Sequence, residues 1–114
     1  MDKIKQYATH IEQLLLRHAA FNPIGQWLEF ENQIIIDKDK KYFLLMRTGW
    51  KASERIHQCV LHINLKEDGK IWIQEDWTEQ GAANELHEAG IPKSDIVLAF
   101  YAPYRREDTH FAAA

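Results

Sequence analysis

Apolar and polar positions alternate with period two on both sides of a Glu67-Asp68-Gly69 turn, from Cys59 to Asp76. Two alternating runs around a glycine-bearing turn predict a β-hairpin. On the first arm Cys59, Leu61, Ile63 and Leu65 share one side, and Val60, His62 and Asn64 share the other. On the second arm Ile71 and Ile73 oppose Trp72 and Gln74, because successive strand side chains point to opposite faces. A two-residue or four-residue loop would set Leu65 and Ile63 on the face of Trp72 and Gln74. A three-residue loop, Glu67-Asp68-Gly69, pairs Leu65 with Ile71 and Ile63 with Ile73. It gathers the aliphatic residues on one face, whereas a slip by one residue scatters them. Gly69 then takes the left-handed position of a type I turn with a bulge, where the missing Cβ removes the steric cost. The second face carries Val60, His62, Asn64, Trp72, Gln74 and Asp76.

The rest of the chain supplies a cover for the aliphatic face. From Asp2 to about Ala20, Ile4, Tyr7, Ala8, Ile11, Leu14, Leu15 and His18 recur at three-and-four spacing, the stripe of an amphipathic helix. Asp2 suits its N-cap. Asn22-Pro23-Ile24-Gly25 predicts a loop. Trp27 to Asp37 reads as a strand with Leu28, Phe30, Ile34 and Ile36 on one face, and Lys41 to about Thr48 as a strand apolar on both faces. Two loop lengths give acceptable pairings for this first hairpin, so its register stays open. Gly49-Trp50 begins a longer connection through Ser53, and the next strand starts near Arg55. Thr78 is the expected N-cap of a short helix bearing Ala82, Ala83, Leu86 and Ala89, with Gly90 and Ile91 as a Schellman ending. Ile96 to Tyr101 is read as extended, and Pro103 to Ala114 as a polar tail. The pattern predicts an α+β fold: an N-terminal amphipathic helix packed on an antiparallel sheet of about four strands in two hairpins, then a short helix and an extended C-terminal tail. One domain spans residues 1–114.

Composition narrows the function. The formal net charge is -3, which opposes unaided binding of nucleic acid because phosphate neutralisation needs a basic footprint. One cysteine excludes an intrachain disulfide. No run is long and apolar enough to span a bilayer and no signal peptide precedes the first helix, so the expected compartment is the cytoplasm.

Candidate chemistry is sparse. His57, Cys59 and His62 resemble metal ligands, but strand alternation sets His62 on the face opposite the other two, and zinc spacings are absent. Cys59, placed on the aliphatic face, is expected to behave as an inert small hydrophobe. Glu75, Asp76 and Glu79 form an acidic patch suited to a solvated strand-to-helix junction. No glycine-rich phosphate loop is present. No catalytic residue, metal ligand or cofactor site is therefore assigned. An indole on the half-polar hairpin face points to a subunit interface. Val60, His62, Trp72, Gln74 and Asp76 are the candidate partner or homodimer surface, and Arg105 and Arg106 the nucleic-acid candidates.

The stretches Val60-Leu61-His62-Ile63, Gly69 to Gln74, Asp76-Trp77-Thr78-Glu79, Ala83-Asn84-Glu85-Leu86 and Gly90 to Phe100 together resemble the XisI family. The first helix and the closing Thr109-His110-Phe111-Ala112 also fit, so the likeness covers nearly the whole chain. That resemblance implies a small α+β fold and a non-catalytic factor controlling excision of the fdxN element, a DNA segment interrupting a cyanobacterial nitrogen-fixation gene. It implies action beside a recombinase, XisF, and a companion, XisH. The expectation is a non-enzymatic regulator, a homodimer with an XisH-like partner, working by protein-protein contact. The alternatives are a DNA-binding excision accessory using Arg105 and Arg106, and a small-ligand sensor or enzyme using His57, Glu75 and Asp76.

Overall fold

A computed structural model describes residues 2–20 and 28–114. The Asn22–Gly25 loop and Trp27 lie outside the described residues. Helix α1 (Lys3–Ala19) starts where the Asp2 carboxylate accepts the Ile4 N–H at 3.0 Å. Tyr7, Ala8, Ile11, Leu14 and Leu15 of the expected stripe are buried.

The sheet has five strands in chain order: β1 (Leu28–Ile36), β2 (Tyr42–Lys51), β3 (Glu54–Leu65), β4 (Ile71–Asp76) and β5 (Ile96–Leu98). The first four are antiparallel neighbours, as expected. Of the run expected to be extended from Ile96 to Tyr101, only Ile96–Leu98 is strand; it adds a fifth, parallel to β4 through Ile71–Ile96 and Ile73–Leu98, and the chain turns from Ala99. The first hairpin, open on sequence grounds, pairs Ile36 with Phe43. Its turn is held by Asp37, whose carboxylate accepts the N–H groups of Lys41 at 2.6 Å and Tyr42 at 2.8 Å. Those bonds, Tyr42 foremost, hold the Asp37 carboxyl below its usual range.

The expected connection from Gly49 to Ser53 is instead strand and a tight turn. Strand β2 runs to Lys51, and β3 begins at Glu54. No glycine or asparagine marks that turn; Ala52 itself adopts φ 55°, a conformation rare for residues with a Cβ. Gly49 has a separate constraint. A Cβ there would stand 2.0 Å from the Glu29 carbonyl oxygen and 2.5 Å from the Phe30 Cα.

The central register is as expected: Leu65 opposes Ile71, Ile63 opposes Ile73, and Gly69 has φ 87°. Two bulges then change the faces beyond it. Val60 is an extra residue in β3 opposite the step from Leu45 to Met46, and Gln74 is an extra residue in β4 opposite the step from His62 to Ile63. Each bulge reverses the alternation past it. Val60 and Leu61 are therefore both buried in the core, at 4% and 0% exposure, and Val60 leaves the predicted partner surface.

Helix α2 (Ala82–Glu88) begins after Gly81, later than Thr78 suggested. It ends as expected, with Gly90 donating to His87 O at 3.0 Å and Ile91 to Leu86 O at 3.1 Å, both bonds of a Schellman motif. Helices α1 and α2 contribute to one core cluster with Phe43, Leu45, Leu61, Ile63, Leu65, Ile71, Ile73 and Ile96. The tail is not extended. Pro103–Thr109 forms 3-10 turns, and Ala112 returns to donate to Ile96 O at 2.8 Å.

Tyr7 ties α1 to the start of β5. Its hydroxyl donates to the Asp95 carboxylate at 2.5 Å, and Lys3 stands 3.3 Å from the same oxygen. Burial, then the Asp95 bond and charge, push the Tyr7 hydroxyl up to about 12, while the Tyr7 bond and Lys3 hold Asp95 below 3.8. Gly49→Ala should destabilise the fold by about 1–3 kcal/mol through strand overpacking, read from the urea midpoint; an unchanged midpoint would contradict the close β1–β2 approach. Tyr7→Phe should cost about 1.5–3 kcal/mol at neutral pH, the range of a hydrogen bond to a charged group. The Asp95 contribution is present above pH 3.8 and fades as pH falls below it, because the folded pKa is depressed. The Tyr7 contribution is complete below pH 10 and is lost as pH climbs toward 12, because the folded pKa is raised. Unfolding curves of both proteins across that range should converge at the two extremes.

Candidate interaction surface

The helices cover one side of the sheet, and the other side is the candidate site. Cross-strand partners share a face, so the pairings define it. Ile35 meets Leu44, Leu44 meets His62, and His62 meets Glu75; Met46 meets Cys59, and Thr48 meets His57. Tyr42, Asn64 and Trp72 continue the same face in another row. Among its apolar residues Ile35 is 49%, Tyr42 51% and Trp50 48% exposed, while Leu44 and Met46 are half-buried. A patch mixing aliphatic, aromatic and polar side chains on an uncovered sheet is an interface signature.

His62 and Trp72 both lie on this face. Trp72 is half-buried and flanked by two cations, Lys66 Nζ and Arg106 Cζ, each 5.3 Å from its ring centroid. Asn64 stands between Tyr42 and Trp72, and its buried carbonyl oxygen meets no donor among the described residues. Gln74 occupies the bulge at the edge of the face.

Asp76 does not belong to the predicted surface. The Gln74 bulge turns Asp76 to the helix side, opposite Leu61, and brings Glu75 to the open face. The Asp76 carboxylate accepts the Thr78 N–H at 2.9 Å, the Thr78 hydroxyl at 2.6 Å and the Ala82 N–H at 2.6 Å. It thereby closes the strand-to-helix junction and supplies the cap expected from Thr78.

The Val60 bulge also changes the cysteine's setting. Cys59 pairs with Met46 on the open face, not on the aliphatic one, and His57, Cys59 and His62 share that face. Among the described residues no three His, Cys, Asp or Glu side chains are grouped to hold a metal. Burial, then a hydrogen bond and the charge of Glu75, push the Cys59 thiol up to about 11, so at neutral pH it is a thiol and a poor nucleophile.

Of the two tail arginines, Arg106 turns inward and Arg105 stays exposed. Arg106 donates from Nε to Tyr101 O at 3.0 Å and from Nη2 to Ala99 O at 3.2 Å, besides packing on Trp72. Arg105 lies 5.7 Å from the Tyr101 ring centroid. Their sequence proximity suggested a basic site, whereas at least Arg106 fastens the tail to the sheet. No described helix is long and apolar enough to cross a membrane.

A family model described as XisI protein matches residues 1–113. The chain belongs to the XisI family. Its fold is also that of solved XisI structures. A XisI-like protein from Anabaena variabilis ATCC 29413 is 35% identical, with a TM-score of 0.85 over 97% of this chain and 99% of that one. The fdxN element excision controlling factor XisI from the same organism is 31% identical, with a TM-score of 0.81 over 99% of this chain and 100% of that one. Comparison with curated proteins returned no match.

The Asp76 junction is a test of this XisI geometry. Asp76→Ala removes the acceptor of three hydrogen bonds and should lower stability by about 1–3 kcal/mol, measured by urea unfolding. A loss below about 0.3 kcal/mol would contradict its capping role.

Proposed function

We propose that this chain is a non-enzymatic accessory factor for site-specific excision of a DNA element. It acts through protein contacts made by the open face of the sheet. The observation that carries the reading is that uncovered face, with Leu44 and Met46 at its centre and Ile35, Tyr42 and Trp50 around them. The excision role rests on family membership and on the solved relative called an fdxN element excision controlling factor. A net charge of -3 suits a protein that meets a DNA-acting partner better than one that grips DNA itself. The partner assigned to the face is the XisH-like companion expected from the family resemblance. The expected homodimer would be seated on the same face and would compete with it. Cytoplasmic action follows from this role.

Leu44→Asp places a charge at the centre of the face without entering the core. On co-expression with an XisH-like protein, the variant should lose about tenfold or more in affinity, equivalent to about 1.4 kcal/mol, with its circular dichroism and Tm close to wild type. Undiminished binding by the folded variant would refute this use of the face. Sedimentation of the chain alone separates the two occupants, since a dimer seated here dissociates in the same variant.

A further inference from the structure

On the opposite side of the sheet, a cleft of about 460 Å³ opens between α1, α2 and the part of β2 beyond the core. Its lining includes Arg17 and His18 of α1, Arg47 of β2, Val60 of β3, Glu85 of α2 and Trp77 of the β4–α2 loop. We propose that this cleft receives a carboxylate carried on an apolar body, with the Arg47 guanidinium as its recognition group, Val60 as its apolar wall and Trp77 at its mouth.

The charges in the cleft are unequally satisfied. Glu85 is taken by two helix α1 groups: its Oε2 is 2.6 Å from His18 Nε2, and its Oε1 is 3.7 Å from Arg17 Nη2. Arg47 has only neutral partners. Its Nε donates to Asn32 Oδ1 at 3.0 Å, and its guanidinium carbon lies 4.7 Å from the Phe30 ring centroid. These contacts fix the plane of the guanidinium. Its two terminal nitrogens meet no acceptor, and no carboxylate pairs with it, among the described residues. Burial lowers its pKa from the usual arginine value, but arginine stays charged at neutral pH. A partly desolvated, immobilised guanidinium with an unused two-nitrogen edge matches a carboxylate bidentately.

The remaining lining selects the rest of the ligand. Val60, at 4% exposure, gives an apolar wall, and the Trp77 ring is 66% exposed at the mouth with its Nε1 donating to Glu75 at 3.0 Å. That bond draws the indole toward the open-face carboxylate at the end of the sheet, so Trp77 borders the cleft only at its mouth. Glu79 and Glu85 also line the cleft, and they would repel a phosphate dianion or a nucleic-acid backbone more than a single carboxylate. The inference does not rest on the excision role, and it concerns the face turned away from the proposed partner surface.

The test uses the full-length, isotope-labelled chain and follows the Trp77 indole and Arg47 Nε–H resonances by NMR. The probes are N-acetyl-leucine, which offers a chain-terminal carboxylate, N-acetyl-glutamic acid α-amide, which offers a side-chain carboxylate, the neutral N-acetyl-leucinamide, and inorganic phosphate. At least one carboxylate should give saturable shifts, and the amide should bind about tenfold or more weakly. The tighter carboxylate identifies the source as a chain terminus or an acidic side chain. Arg47→Gln should abolish saturation, and Arg55→Gln, on the open face, should preserve it. Arg47→Lys, which keeps the charge but loses the paired-nitrogen edge, should weaken binding severalfold and decides the matter if Arg47→Gln fails to fold. Absence of saturation by both carboxylates, equal binding of the amide, tighter binding of phosphate, or undiminished binding by folded Arg47→Gln or Arg47→Lys would overturn the proposal.

Discussion

Ile63 and Ile73 stand opposite each other in neighbouring strands, wholly withdrawn from solvent in the same cluster as Ile11, Leu14 and Leu15 of α1. Removing such aliphatic side chains from water is worth about 1.5–3 kcal/mol each, and the contact of helix and sheet is where that gain is made. The other arrangements follow from keeping this layer closed. Tyr7 and Asp95 pin the first helix over β5, Asp76 turns the chain from β4 toward α2, and Ile91 seals the end of that helix.

The same layer explains how far the sequence was readable. The Leu65–Ile71 and Ile63–Ile73 pairings were legible because only one loop length places four aliphatic residues together. The α1 stripe and the Schellman ending were legible for comparable reasons, periodicity and a glycine with φ 109°. The bulges at Val60 and Gln74 were not. Neither residue carries a turn or glycine signal, and the Val60-Leu61 pair reads as ordinary alternation. A weak clue was that Val60 would have left a branched aliphatic side chain on a half-polar face. The hairpin turn at Ala52 was hidden in the same way, since nothing about alanine announces φ 55°. The candidate surface was accordingly half legible: His62 and Trp72 lie on the open face, while Val60 and Asp76 sit on the helix side.

Two bulges thus give one sheet two distinct surfaces. Past Val60 the alternation brings Cys59 and His57 to the open side and lets Val60 join the core. Past Gln74 it sends Asp76 inward as a cap and Glu75 outward beside His62. Bulges commonly redirect a side chain or end regular pairing, and here both effects fall at the end of the sheet where the charged cleft opens. The open face remains a mixed, largely neutral patch centred on Leu44 and Met46, whereas the helix side keeps Arg47 among neutral partners. Two surfaces with different chemistry on one small XisI-family sheet allow two different contacts without overlap.

The return of Ala112 to Ile96 and its bridge to Val97 has a consequence for the margins of the sheet. Strand β5 is only three residues long, and the last residues of the chain lie along part of its outer rim. Unpaired strand rims invite another chain to add itself by hydrogen bonding. The C-terminus therefore serves as an edge guard. Trimming it ahead of Phe111 would bare that rim to strand addition even though the helix-covered core stayed intact.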